Sequence, residues 1–362
     1  MVTLRRSAIA LVVLALAGGF AAAARPTSAS AAAATLAPGR VTVLPDDGRG
    51  LYLDALDSAR HDIRIEICVI EDPEILQHVQ AAIARGVRVR AVVDRGKYEA
   101  LAAEQANLAQ YLTGPGGELH LSNPVFPRSF PKVILIDDRP YVYGSACIDT
   151  TTFVQYRDFA TSGDDAGVSR SLHRLFDRDW ASSAPPGAPT TTYAPTPPIT
   201  ASGLIVAPVN AATQLTALFQ SARHTLDVYS EELGNSALEG ELAAAVARGV
   251  RVRLIAPTEV NGATPALDAL QVSSLGALAS EGVDVRVSAG AQDRRTPYMH
   301  ARAAVVDGRT VYLGSVSLAP DSATVNREVG LISHSPKLAR VIARQFAADF
   351  GTRTSPFPVR GG

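Results

Sequence analysis

Residues Tyr298 to Gly330 read YMHARAAVVDGRTVYLGSVSLAPDSATVNREVG, and the rest of the chain is organised around them. His300, Arg302 and Asp307 keep the spacing H-x-(K/R)-x-x-x-x-D, Gly314-Ser315 follows, and Arg327-Glu328 lies near the end. Ala303 to Val306, small and β-branched, reads as a strand, and Gly314-Ser315 ends a second one. Strand ends are where an α/β sheet presents its ligand groups, which makes the stretch a candidate phosphate site. An imidazole at position 300 can attack phosphorus or donate a proton. Arg302, two positions on and so on the same strand face, can hold two phosphate oxygens at once. Ser315 and Ser317 offer hydroxyl donors, and Glu328 is the candidate to bond the other ring nitrogen and fix its tautomer. No two histidines stand at metal-ligand spacing, so neither a metal nor a cofactor is expected.

The chain is written twice. Ser58-Ala59-Arg60-His61 recurs 163 positions later as Ser221 to His224, and Ala84 to Arg90 recurs word for word as Ala247 to Arg253 at the same offset. Gly144-Ser145 then matches Gly314-Ser315, and Arg174-Leu175-Phe176 matches Arg344-Gln345-Phe346, now 170 positions apart. A repeat this long is a duplicated domain rather than a solenoid unit. In each copy an apolar β-branched run (Ile63 to Ile70, Leu226 to Ser230) precedes a helical period (Ile75, Val79, Ile83; Leu238, Leu242, Val246). Gly86 and Gly249 are placed to cap those helices in the left-handed region, and Val87 to Val93 and Val250 to Ile255 form the next strands. Such strand–helix–strand units predict an α/β fold, each half a mostly parallel sheet flanked by helices. The halves are expected at residues 40–180 and 204–352, joined by a Pro/Thr-rich linker at 181–203.

Of 362 residues, 47% are hydrophobic and 19% charged, enough apolar surface for a substantial core. The formal net charge of -1 argues against a protein that grips nucleic acid by general electrostatics. Residues 1–35 carry Arg5-Arg6, an apolar run from Ala8 to Ala24 and small residues after it, the pattern of a secretory signal peptide. The expected destination is the cell envelope or the exterior.

At this point the residues resemble the phospholipase D superfamily, whose mark is two H-x-K-x-x-x-x-D motifs, each followed by G-S-x-N. The resemblance covers nearly the whole chain after residue 35. It implies two similar halves packed as a pseudo-two-fold dimer within a monomer, with one metal-independent site between them. It also implies a phospholipid or other phosphodiester substrate, met at a membrane surface. Carried over by position, His300 is a catalytic histidine, Arg302 stands where the family has lysine, and Ser315 matches the family serine. Ser317 replaces the asparagine, Glu328 matches the histidine-orienting acid, and Asp307 is structural.

In the first copy, SFPKVILIDDRPYVYGSACID (129–149) keeps Lys132, Asp137, Gly144 and Ser145, and Asp158 follows. Lys132 and Ser145 are expected at the phosphate, and Asp137 and Asp158 in supporting roles. The histidine position, however, is Phe130, and the asparagine position is Cys147. Phenylalanine neither attacks phosphorus nor donates a proton, and loss of one general acid costs about 10²–10⁴ in rate. Cys68 aligns with Glu231 and Cys147 with Ser317, so both cysteines belong to strand ends facing one pocket, and a Cys68–Cys147 disulfide is expected. The leading expectation is an exported phosphodiesterase with impaired activity, forming a phosphohistidine at His300. A non-catalytic phosphate binder of the same fold is the alternative, and a secreted nuclease the second.

Overall fold

Ile63, Ile65 and Ile67 alternate along one strand, and Leu226 and Val228 along its counterpart; all five are buried in the cores of their halves. Each strand feeds a helix, Pro73–Ala84 or Ala237–Ala247. Asp72 caps the first through the Ile75 N–H, and a Ser236–Glu239 capping box opens the second. Gly86 and Gly249 follow at φ 89° and 86°, the left-handed caps expected of them. The structure is a computed structural model and describes residues 36–101, 108–112, 115–234, 236–288 and 295–358. The leader expected at residues 1–35 lies outside the described residues.

The strands of the first half are β1 (Val41–Leu44), β2 (Asp62–Ile67), β3 (Arg88–Val93), β4 (Gly117–Leu121), β5 (Val133–Ile136), β6 (Tyr141–Gly144) and β7 (Tyr156–Gly163). Those of the second are β8 (Leu204–Ala207), β9 (Thr225–Tyr229), β10 (Arg251–Pro257), β11 (Asp284–Ser288), β12 (Tyr298–Met299), β13 (Ala303–Val306), β14 (Thr310–Gly314), β15 (Glu328–Ser333) and β16 (Ser355–Pro356). The first sheet runs β1-β7-β6-β5-β2-β3-β4, and the second repeats it as β8-β15-β14-β13-β9-β10-β11, with β16 added at the end. The sheets are mixed, a correction to the mostly parallel expectation. Within each half the parallel pairs are β2-β3-β4 and β9-β10-β11, joined through helical crossovers. The short β5–β6 and β13–β14 connections can only return the chain antiparallel.

Each half has its own core on one sheet face. A third cluster mixes the two: Val133, Leu135 and Phe159 of the first half join Tyr229, Val305 and Phe346 of the second. This explains why β5 (VILI) and β13 (AAVV) are buried on both faces and carry no polar alternation. The linker has no regular structure through most of its length, yet it is tied down: Tyr193 Oη donates to Asp179 at 2.7 Å, and Thr191 O accepts from Asn123.

Candidate active site

The two halves are stitched reciprocally. β12 pairs in parallel with β7, placing Met299 opposite Arg157, and Ser129 forms the matching parallel bridge to Arg327. Residues 129 and 299, like 157 and 327, stand 170 positions apart, so these contacts are two-fold mates. The buried arginines cross the same way. Arg157 Nε meets Asp349 at 2.8 Å and Arg327 Nε meets Asp179 at 3.0 Å, each pair spanning the halves. Each guanidinium also donates to the end of an edge strand, Arg157 to Leu44 O and Arg327 to Ala207 O. The pseudo-two-fold axis is therefore built from buried, hydrogen-bonded charge.

That stitching brings His300 onto Asp158. Its Nδ1 lies 2.8 Å from Asp158 Oδ2, and since the carboxylate accepts, Nδ1 carries the proton. Asp158 is buried and receives a second bond, 2.6 Å, from Ser145 Oγ. Burial alone would raise the Asp158 pKa, but the charge and hydrogen bond of His300, with Lys132 and Ser145, outweigh it and hold the carboxyl below its ordinary value. His300 Nε2 is left with a lone pair. Arg302 Nη1 stands 3.5 Å from it, Glu231 Oε2 also 3.5 Å, and the ring of Tyr156 stacks beside the imidazole.

The tautomer-fixing role expected of Glu328 belongs to Asp158. An acid and the histidine it serves lie on opposite halves, an exchange created by packing rather than by sequence neighbourhood. Glu328 accepts from Ser322 Oγ at 2.7 Å and from Asn326 Nδ2 at 3.4 Å, both on Oε1, while Oε2 has no hydrogen-bond partner among the described residues. Its mate among the histidine positions is Phe130, whose N–H donates to Arg327 O.

The cations are Lys132 and Arg302, two-fold mates and both buried. Lys132, at φ 54°, donates from Nζ to Ser145 O at 2.5 Å. Burial, and then the charge of Arg302, push its pKa down to about 7. Arg302 is bonded to Glu231, whose other oxygen accepts from Tyr298 Oη at 2.9 Å. Burial works to raise the Glu231 pKa, and His300, Arg302 and Lys132 together bring it below normal. Glu231 and Tyr298 were not singled out from sequence as site groups. The signal was available: Glu231 occupies the position that Cys68 fills in the first half, and Tyr298 is two residues before His300.

Two of the three serines commit their hydroxyl protons within the protein. Ser145 Oγ is committed to Asp158, Ser315 Oγ donates to Val329 O at 3.2 Å, and Ser317 Oγ accepts from the Ala319 N–H at 3.3 Å. For Ser145 and Ser315 the expected phosphate contact is therefore replaced by bracing of β7 and β15, whereas Ser317, an acceptor in the turn after β14, can still donate its hydroxyl proton. Asp137 and Asp307 fulfil a structural role. Asp137 takes the backbone N–H groups of Arg60, His61 and Asp62, and Asp307 those of Arg223, His224 and Thr225. Both sit at φ 49°, where a short polar side chain is tolerated. Cys68 and Cys147 are joined in a disulfide with Cα atoms 6.0 Å apart, inside the range such a bond needs. Cys68 and Phe130 share the first-half core, with Cys147 packed against it, so apolar and sulfur groups fill the position mirroring Glu231, His300 and Ser317. His120 is not in the site: it hydrogen-bonds Ser183 and stacks on Trp180 at 3.7 Å. Among the described residues, no group of three or more His, Cys, Asp or Glu side chains is arranged to hold a metal.

Lys132 offers a direct test of function against stability. Its folded pKa lies well below that of an ordinary lysine, so its ammonium costs stability that is absent above about pH 10 and accrues as pH falls toward 7. Lys132→Met is expected to hold or raise the melting temperature at pH 6. It should also weaken inorganic phosphate binding by about 10-fold or more, from loss of one charge-assisted contact. Calorimetry and isothermal titration check the two effects separately.

A family model described as "Cardiolipin synthase, PLD-like domain" matches residues 52–180 and 215–350, both halves of the duplication. The chain belongs to this phospholipase D-like family. It is also similar to a mitochondrial cardiolipin hydrolase of Xenopus tropicalis, 36% identical over 103 residues, a segment covering 28% of this chain and 41% of that protein. Among solved structures it resembles the phosphatidylserine synthase of Haemophilus influenzae, with a TM-score of 0.66 at 16% identity over 87% of each chain. The polyphosphate kinase of Porphyromonas gingivalis matches with a TM-score of 0.57 at 18% identity, over 85% of this chain and 49% of that one. At these identities the structural likenesses define the fold, two mixed-sheet α/β halves.

Proposed function

We propose that the protein is an exported phosphodiesterase that acts on phospholipid head groups or related phosphodiesters through a phosphohistidine on His300. The observation that carries this reading is the bond from His300 Nδ1 to Asp158 Oδ2 across the two halves. A buried carboxylate on Nδ1 leaves the Nε2 lone pair as nucleophile and compensates the positive charge that the ring gains on attack. Arg302 and Lys132 supply cations for the non-bridging oxygens, with the substrate phosphate displacing Glu231 from Arg302. Phospholipid chemistry is supported by the family description and by the name of the curated relative. Export is supported by the leader pattern in residues 1–35 and by the disulfide, a bond that persists in oxidising compartments. Activity is reduced by Phe130.

A second reading, phosphate recognition without turnover, is favoured by Phe130 and by the Glu231 carboxylate already seated on Arg302. One comparison separates them. Purified protein is assayed on bis(4-nitrophenyl) phosphate and on phosphatidylglycerol vesicles. The phosphodiesterase reading expects turnover of the aryl ester at a rate well above that of the lipid. Absence of turnover on both, with phosphate-competed vesicle binding, would support the binder instead.

A further inference from the structure

Glu328 is not used in the steps above, and it is the one acid at the site whose histidine is missing. It is 3% exposed, both of its neutral donors serve Oε1, and Oε2 is buried with no hydrogen-bond partner among the described residues. Leaving a carboxylate oxygen in that state is costly; a protonated oxygen there is the form that burial favours. As the two-fold mate of Asp158, Glu328 belongs to the side of the site opposite His300. In an in-line displacement the leaving group departs on that side. Its side chain is one carbon longer than that of Asp158, and the histidine position it mirrors holds Phe130, whose ring can neither take its proton nor orient it.

We infer that Glu328 Oε2–H is the general acid that protonates the leaving alkoxide, in place of the imidazole absent at Phe130. The inference rests on the phosphodiesterase reading. In the first step His300 Nε2 forms an N–P bond as the P–O bond to the leaving group breaks. The electron pair stays on that oxygen, which takes the Glu328 proton and leaves a carboxylate. In the second step water attacks phosphorus, gives a proton to Glu328, and the N–P electron pair returns to the imidazole. The charged and titratable groups around Glu328 are Arg302, Lys132, Glu232 and Tyr312. Burial raises the Glu328 pKa to about 7, against the lowering by Arg302, Ser322 and Lys132 and together with the like charge of Glu232. Such a carboxyl is a competent proton donor near neutrality.

The test is Glu328→Gln, which keeps the side-chain length and an acceptor for Ser322. On phosphatidylglycerol vesicles kcat is expected to fall by about 10²-fold or more, and the decline of kcat/KM above about pH 7 should become shallower, the titration of Lys132 alone remaining. On bis(4-nitrophenyl) phosphate, whose phenolate leaves without a proton, the single-turnover release of nitrophenolate, which reads the first step alone, should stay within about 3-fold by the same reasoning. Equal losses of the first-step rate on the two substrates, or unchanged lipid turnover, would overturn the role. Difference infrared spectra of Glu328→Gln against wild type give a readout independent of turnover. A protonated-carboxyl band lost in the variant at pH 6 is expected, and a group already ionised at pH 5 overturns the proposal. If His300→Ala keeps wild-type turnover of the aryl ester, the phosphodiesterase reading itself falls, and the acid role with it.

Discussion

His300→Ala is expected to lower turnover of the aryl phosphodiester by about 10⁴–10⁶-fold, the loss typical of removing a covalent nucleophile. The effect should be larger than that of any other single change at the site. Every remaining group there either holds charge or moves a proton, and none can form the bond to phosphorus. The substitution also strips Asp158 of its partner, leaving a buried carboxylate with Ser145, the Lys132 ammonium and no imidazole. Asp158 has a folded pKa below its ordinary value, so its contribution to stability is present above about pH 4 and is lost as pH falls through the lowered value. Part of that contribution disappears in the alanine variant. His300→Asn separates the two effects, because its amide can still donate toward Asp158 but cannot form a stable phosphoenzyme. Both variants should be inactive in steady-state assays, with the asparagine variant melting closer to wild type in calorimetry.

The converse experiment adds a group. Phe130→His is expected to raise turnover of phosphatidylglycerol by about 10–100-fold, a share of the 10²–10⁴ that a positioned acid supplies, while changing the aryl ester little. The position is prepared for an imidazole. The Ser129–Arg327 bridge is the two-fold copy of the Met299–Arg157 pair, so Phe130 and Glu328 follow the one bridge as His300 and Asp158 follow the other, and Glu328 Oε2 has no hydrogen-bond partner among the described residues. The new ring would take Glu328 as its orienting acid, moving the proton-donor role from carboxyl to imidazole. Combining Phe130→His with Glu328→Gln should then cost activity through loss of orientation. Steady-state kinetics on both substrates reads each case.

Much of this organisation is legible in the chain. Two constant offsets between repeated words locate both halves, and the same offsets identify Phe130 as the displaced histidine. They also place Cys68 and Cys147 where the disulfide forms. Asp137 and Asp307 are recognisable as structural through the family resemblance, in which the motif aspartate supports the local fold. What the one-dimensional pattern does not carry is the exchange between halves. Glu328 stands near His300 in sequence, and nothing local shows that the bond to His300 comes from Asp158, 142 positions away. Ser145 and Ser315 are misread for a related reason: a hydroxyl at a strand end looks available until a facing group, such as the Val329 carbonyl, claims it. Glu231 was visible only as the residue aligned with a cysteine, and its contact with Arg302 depends on how β9 and β13 lie side by side. Likewise, strand–helix–strand units announce the parallel part of each sheet, whereas the antiparallel remainder follows from short returns with weak local signatures.

The central claim is a phosphoenzyme on a single histidine. Protein mixed with bis(4-nitrophenyl) phosphate, quenched in alkali to preserve a phosphoramidate and digested, is analysed by mass spectrometry. A nitrophenylphosphoryl or phosphoryl adduct is expected on the peptide containing His300, absent from His300→Asn. Turnover of the ester without any adduct at His300, or an adduct on another residue, would contradict it.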